Sequence, residues 1–462
     1  MSFEEKLESS KLTRGMWILW ILSAGLIALD GFDFFIIGVA LPFIEKDFEL
    51  TATQIGEVAV AAIVGSLVGS LTLGAITDRI GRQKMLLIDV IIFLISSGGA
   101  ALAWSASSLI FFRFLVGVAI GADYPISVAY ITENVPSRYR GRMIIGAFTF
   151  QAVGAALGAL TGIVVIKSCI LFSPNPLETA VKQGWRIMLG VGLIMAIIIY
   201  LLRLQFLLES PRYFITKGDY KAASIAASEL LEMEIEITPE NEPPPGDNVS
   251  WLALFSRHWR QTVFAAVPWF LQDISTYGIG IFTPTIISVL AFSKETDFLS
   301  VQINSAQGAA IVDLFLIIGF LVAVLLVDKV GRVKLQIVGF LGMALGLVIL
   351  TLGGGNNSSL ITVLVGFFVF NFSMNAGPNA TTFVLSGEVF PTAIRATGAG
   401  FAAAFAKLGA VLGTYLLPIL RVEIGVNRVL YILAISCVLA AIVTYVFRIE
   451  TTGKSLEQLD SV

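Results

Sequence analysis

The sequence predicts an all-α polytopic membrane protein whose twelve transmembrane helices form two pseudo-symmetric six-helix bundles. Three observations carry that expectation. The 462 residues are 56% hydrophobic and only 14% charged, against about 25% charged in soluble domains. Apolar runs of about 20 residues, each long enough to cross a ~30 Å hydrocarbon layer as a helix, recur along the whole chain. Charged motifs between these runs occur once in each half.

The expected spans are 16–41, 55–77, 85–104, 108–132, 143–167, 186–208, 262–290, 306–327, 335–352, 359–387, 394–420 and 427–447. One long polar interval, 209–261, separates six from six. Its centre, "TPENEPPPGDN", is Pro-rich and acidic and should not build a packed core. The expected organisation is therefore an N-terminal bundle over 1–208, a central loop over 209–261 and a C-terminal bundle over 262–462 with a short tail.

Putting both termini and the central loop on one side gathers most of the 30 lysines and arginines there. By the positive-inside rule that side is cytoplasmic, in a cell's plasma (inner) membrane. The first apolar run is too long for a secretory signal, so no cleavage is expected. Cys169 and Cys437 offer no disulfide framework or metal spacing. The sole histidine, His258, sits in the central loop, which excludes a histidine relay in the spans. Net charge of -3 implies no nucleic-acid partner. The expected surroundings are a lipid bilayer around a monomer.

"DRIGRQK" at 78–84 returns as "DKVGRVK" at 328–334, which pairs Asp78 with Asp328 and Arg82 with Arg332. Glu133, Pro136 and Arg140 of "ENVPSRYR" return as Glu388, Pro391 and Arg395 of "EVFPTAIR". Two motifs repeated at nearly one offset argue for homologous halves that rock against each other. Their eight charged residues are candidates for gating. The chain resembles the major facilitator superfamily of transporters. "RFLVGVAIG" at 113–121 matches a motif of its fourth helix, and "LLESPRYFITKGDYKAA" and "ETTGKSLEQL" resemble the sugar-porter-like branch.

Charged residues inside the spans are few: Asp30, Asp33, Asp89, Arg113, Asp123, Asp273, Asp313 and Lys407. An intramembrane acid costs enough to be a functional candidate by default. Asp30 and Asp33 are three apart and share a helix face. Asp123 precedes Pro125, which is expected to disrupt the fourth helix and free carbonyls beside the acid. Trp269, Asp273 and Tyr277 are spaced by four, as are Asn371, Asn375 and Asn379. Such stripes should face a cavity, since lipid would leave them unpaired. Asp313 is placed to pair with Lys407, and Asp89 to contact the basic 78–84 turn.

A closer resemblance runs through "LDGFDFF", "GADYPIS", "FTFQAVG", "WFLQDISTYG", "GPNATTF" and "RATGAGFAAAFAKLGA", which are similar in order to motifs of the phosphate:proton symporter family. The resemblance implies that Tyr124, Gln151, Trp269, Asp273, Tyr277 and Asn379 surround phosphate, with Lys407 close by. It assigns Asp33 and Asp123 to the proton pathway. Ala399 stands where the family tends to have a histidine, and "GIGIF" after Tyr277 lacks its usual asparagine. An organic anion or a sugar stays open as the alternative cargo.

The chemistry of the residues points the same way. Protonated Asp273 can donate a hydrogen bond to an oxyanion, whereas ionised Asp273 repels one, so proton and anion would bind together. Tyr124, Tyr277 and Trp269 add neutral donors. Asp30, Asp33 and Asp123 would pass the proton. The expected function is proton-coupled symport by alternating access, without cofactor or metal. A non-transporting sensor on the same scaffold would carry an enlarged soluble tail, and both tails are short. An enzyme would need a nucleophile with its base or a metal motif, and the spans hold neither.

Overall fold

The computed structural model describes residues 3–238, 252–292, 295–353, 359–390 and 395–451; within these, side-chain surroundings are not described at 4, 71, 74–79, 82, 122–125, 128–129, 132, 137, 140–141, 216, 328, 353 and 395–397. Helices and turns make up the described residues, with no strand among them.

The long elements are α1 (Arg14–Phe48), α2 (Ala52–Ile80), α3 (Arg82–Ala101), α4 (Ala106–Asn134), α5 (Ser137–Phe172) and α6 (Trp185–Phe206), then α7 (Trp259–Ile281, continued as Thr283–Ala291), α8 (Phe298–Val330), α9 (Arg332–Gly353), α10 (Leu360–Ala376, continued as Pro378–Glu388), α11 (Arg395–Ile424) and α12 (Val426–Phe447). Ten are long and apolar enough to span a membrane outright, and the two pieces of α7 make an eleventh. The twelfth is α4, whose uninterrupted apolar stretch covers only Ala106–Gly121. The expected twelve helices are all present.

Two helices break where the sequence puts proline after a weak point. The pieces of α7 meet at 64°, just before Pro284, which has no N–H to continue the ladder. In α10, expected as one straight span, Gly377 adopts φ -123 and ψ -104 ahead of Pro378. That backbone is far from helical, and the break falls between Asn375 and Asn379. The expectation for Pro125 fails: α4 runs through it without interruption, because a long, packed helix tolerates one missing hydrogen bond when its neighbours hold it.

Close helix approach builds each half. In the first, α1 packs on α5 and α2 on α4; in the second, α7 packs on α11 and α8 on α10. Glycines set these contacts. A Cβ on Gly117 or Gly121 of α4 would lie 1.9 and 2.0 Å from the carbonyls of Ala62 and Ser66 on α2, and one on Gly413 of α11 would lie 2.1 Å from that of Ile274 on α7. No side chain fits there, so backbone meets backbone. Between the halves, α5 packs on α8 and α2 on α11, the same helices in exchanged roles.

The repeated turns share their backbone as well as their sequence. Gly81 has φ 101 and Gly331 φ 95, a region where other residues are strained. Each lets one helix end and the next begin within a single residue.

The central interval is more ordered than its composition suggests. Helix Tyr220–Leu231 buries Ala223, Ala227, Leu230 and Leu231, is capped by Asp219 at one end and stops at Glu232 in the left-handed conformation. Thr13 ties the start of α1 to it through a 2.7 Å bond to the Leu230 carbonyl. The acidic, Pro-rich centre itself lies largely outside the described residues.

Candidate functional site

A cavity of about 290 Å³ lies between the two halves, lined from α1, α2, α4 and α5 on one side and from α7, α8, α10 and α11 on the other. Its charged lining residues are Asp30, Asp273 and Lys407. Neutral polar groups come from Ser66, Ser70, Gln151, Trp269, Thr276, Tyr277, Asn375 and Asn379, and most of the remaining wall is apolar, including Phe34, Phe320 and Phe383.

The three-residue stripe of α7 faces this cavity as its spacing predicts: Trp269, Asp273 and Tyr277 all line it. Lys407 reaches across from α11 and donates a 2.7 Å hydrogen bond to the Tyr277 hydroxyl, with its ammonium 4.4 Å from the ring centre. Asp273 and Asp30 are also among its electrostatic neighbours. The Trp269 side chain lies beside the Asp273 carboxyl. Phe34 of the first half meets Tyr277 edge to face at 5.8 Å, so the cluster sits on the seam between the halves. The expected pairing of Lys407 with Asp313 is not made. Asp313 is buried on α8 outside the cavity lining, and Tyr277 holds the lysine elsewhere.

The asparagine stripe of α10 divides in two. Asn375 and Asn379 line the cavity on either side of the Gly377 break, with the Asn379 amide donating to Asn375 Oδ1 at 2.6 Å. Asn371 instead donates to the Phe367 carbonyl of its own helix. One turn before Asn375, it lies outside the cavity lining. Gln272 was not an expected participant, yet it is fully buried and donates to Asn379 Oδ1 at 3.0 Å while accepting from Thr382. It braces α7 against the broken helix. Its signal in the sequence was an amide beside Asp273 within an apolar run.

Asp30 and Asp33 do not share one environment despite their spacing. Asp30 lines the cavity, whereas Asp33 lies behind it, 3.5 Å from the guanidinium of Arg113 on α4. Arg113 also donates to the Val58 carbonyl of α2. This buried pair joins three helices of one half. The motif around Arg113 announced close packing through its glycines but not a partner for the arginine.

Gln151 lines the cavity from α5. The side chains of Asp123 and Tyr124 lie outside the described residues, as do those of Asp78, Arg82, Arg140, Asp328 and Arg395. Of the remaining gating candidates, Arg332 lies 3.4 Å from Glu388, so the two repeated motifs of the second half meet each other. Glu388 also accepts from Thr451. In the first half Glu133 accepts a 2.7 Å bond from Ser210, and Glu209 accepts from the backbone N–H of Gln83 in the first turn of α3. There a carboxylate suits the positive end of the helix. The "LLESPRYF" segment therefore folds back beneath the 78–84 turn.

Two six-helix bundles of repeated sequence enclosing at their seam a cavity with charged and polar groups are the architecture of secondary transporters, and comparison with known proteins agrees. The family model described as "Sugar (and other) transporter" matches residues 18–462; the chain belongs to this family of the major facilitator superfamily. It is 31% identical over 450 residues to the putative metabolite transport protein YaaU of Escherichia coli, covering 96% of this chain and 94% of that one. It is 29% identical over 506 residues to low affinity inorganic phosphate transporter 4 of Medicago truncatula, covering 98% and 94%. Among solved structures, the partially occluded inward open xylose transporter XylE of E. coli is similar with a TM-score of 0.79 at 21% identity, over 96% of this chain and 100% of that one. The chain is thus a multi-pass membrane transporter of a small molecule.

Proposed function

We propose that this transporter is a proton-coupled symporter of a small oxyanion, inorganic phosphate, working by alternating access. The observation that carries the reading is the cluster at the seam: one lysine, held by Tyr277, beside two carboxylates that line the same cavity. With both acids ionised the site carries more negative than positive charge and disfavours an anion. Protonation of Asp273 reverses that balance and turns the acid into a donor. Lys407, Tyr277, Gln151, Asn379 and the Trp269 indole then present donors to a tetrahedral anion, and Tyr124 belongs to the same set. Release follows when Asp273 ionises again. Proton and anion favour each other by linkage, which is the thermodynamic content of symport.

In this reading Asp30, Asp33 and Asp123 carry the proton to the cavity, and the 1–208 and 262–462 bundles are the rocking units, joined by 209–261. Asp78, Arg82, Glu133 and Arg140, with Asp328, Arg332, Glu388 and Arg395, latch the end that carries the repeated turns. Both termini face the cytoplasm of a cell whose plasma membrane holds the protein as a monomer. The phosphate transporters among its relatives support the choice of cargo.

The apolar part of the cavity wall supports a second reading, a small organic anion whose body packs on Phe34, Phe320 and Phe383, in line with the metabolite transporter among its relatives. The test is uptake into proteoliposomes under an imposed pH gradient, with labelled phosphate, several organic anions and several sugars compared. Gradient-driven phosphate accumulation supports the first reading. Accumulation of an organic anion in its place selects the second, and sugar accumulation rejects both.

A further inference from the structure

A second cavity of about 290 Å³ lies at the opposite end of the bundles from the repeated turns, again between the halves. Its first-half wall is the end of α1, with Glu45 and Lys46, and Ile55 at the start of α2. Its second-half wall is the elbow of α7 at Phe282–Ser288, the first turns of α8 and Arg421 on α11. Nothing in the central cavity's chemistry uses these residues.

Three features make this more than a crevice. First, Lys46 and Arg421 line it from opposite halves, and neither forms an ion pair among the described residues. Glu45 offsets one of the two charges and leaves the lining positive. Second, Gln302 lines it from α8 while only 8% exposed, and its amide has no hydrogen-bond partner among the described residues. Those amide atoms are open to the cavity rather than sealed in the core, so a ligand there can bond them. Third, the cavity exists only where the halves touch. Lys46 sits 4.5 Å over the Phe298 ring, Phe43 meets Phe298 at 5.4 Å, and Gly38 abuts the Ile281 carbonyl beside the α7 elbow.

We propose that this cavity is a binding site for a small tetrahedral oxyanion, sulfate or phosphate, and that the bound anion holds the halves together at this end. Lys46 and Arg421 supply charge from the two sides, and Gln302 and Thr285 supply neutral donors. Separation of the halves pulls Lys46 away from the other three. The anion therefore binds one conformation better than the other, and that difference in affinity shifts the population toward closure at this end. Coupling of this kind makes the anion a brake on reopening, independent of the cargo in the central cavity.

The test uses the purified full chain, spin-labelled at Thr51→Cys in the α1–α2 turn and Val422→Cys on α11, both exposed and on opposite halves. Distances between the labels are measured as sodium sulfate replaces sodium chloride at constant ionic strength. The closed, short-distance population should rise with sulfate. Lys46→Gln and Arg421→Gln should each weaken the response by about tenfold, the loss expected for one charged partner. Gln302→Leu should weaken it with no change in charge. Lys407→Gln, which alters only the central cavity, should leave it intact. No sulfate response, a response unchanged in the Lys46→Gln/Arg421→Gln double variant, or one abolished by Lys407→Gln would overturn the proposal.

Discussion

Asp33 on α1 and Arg113 on α4 stand 3.5 Å apart with both side chains almost wholly removed from solvent. A buried charge pair is a poor source of net stability, but removing one partner strands the other. Asp33→Asn should therefore destabilise the protein by about 3–5 kcal/mol. Replacing both residues, as Asp33→Asn with Arg113→Met, should recover most of that loss. If Asp33 also carries the proton, the double variant should regain its melting temperature without regaining gradient-driven accumulation, while substrate exchange persists. Full recovery of accumulation would confine the pair to a structural role.

The lysine of the central cavity depends on Tyr277 for its position. Tyr277→Phe keeps the ring that meets Phe34 and removes only the hydroxyl. It should raise the KM for phosphate by about tenfold, the cost of losing one hydrogen bond to a charged group, and Lys407→Gln should abolish uptake. Both are read from initial rates in proteoliposomes at matched folded protein. An unchanged KM in both variants would place the cargo elsewhere.

Asp273 differs from a structural acid in its expected response to amide replacement. Asp273→Glu still titrates and should keep some uptake with a shifted pH optimum. Asp273→Asn can donate to an anion at every pH but never repels one, so substrate should bind while coupled uptake fails. Phosphate uptake against pH in the wild type and both variants decides the matter. Three superimposable profiles would remove Asp273 from the mechanism.

At the N-terminus of α8, Asp297 accepts from the Ser300 backbone N–H at 2.9 Å and from the Ser300 hydroxyl. These bonds hold its carboxyl below the usual carboxylate range. A group depressed in the folded state contributes stability above its unfolded value, and that contribution fades as pH falls through the folded value. Asp297→Ala should melt earlier than wild type at neutral pH, and the gap should narrow below about pH 4. A gap independent of pH would mean that the carboxylate's charge contributes nothing to the cap.

The class of this protein was legible in the residues because membrane spanning is a one-dimensional constraint. Every backbone group must be satisfied within its own helix, so length and hydropathy alone delimit the spans. The duplication was equally plain, since Gly81 and Gly331 need the same unusual backbone and only glycine adopts it freely. Helical spacing alone also placed Trp269, Asp273 and Tyr277 on one face, and all three line the cavity.

Tertiary structure decided what spacing within one helix cannot. Asp30 and Asp33 are three residues apart, yet one lines the cavity and the other meets Arg113, because the helices surrounding α1 differ from one side of it to the other. Lys407 found Tyr277 rather than Asp313, since α11 packs against α7 through Gly409 and Gly413 and brings the lysine to that stripe. Asn371 lies outside the cavity lining and bonds the Phe367 carbonyl of its own helix, while Asn375 and Asn379 stay together across the Gly377–Pro378 break. Each outcome depends on which helix is the neighbour and at what distance. Sequence periodicity tells which way a side chain leaves its own helix, and only packing decides what it meets.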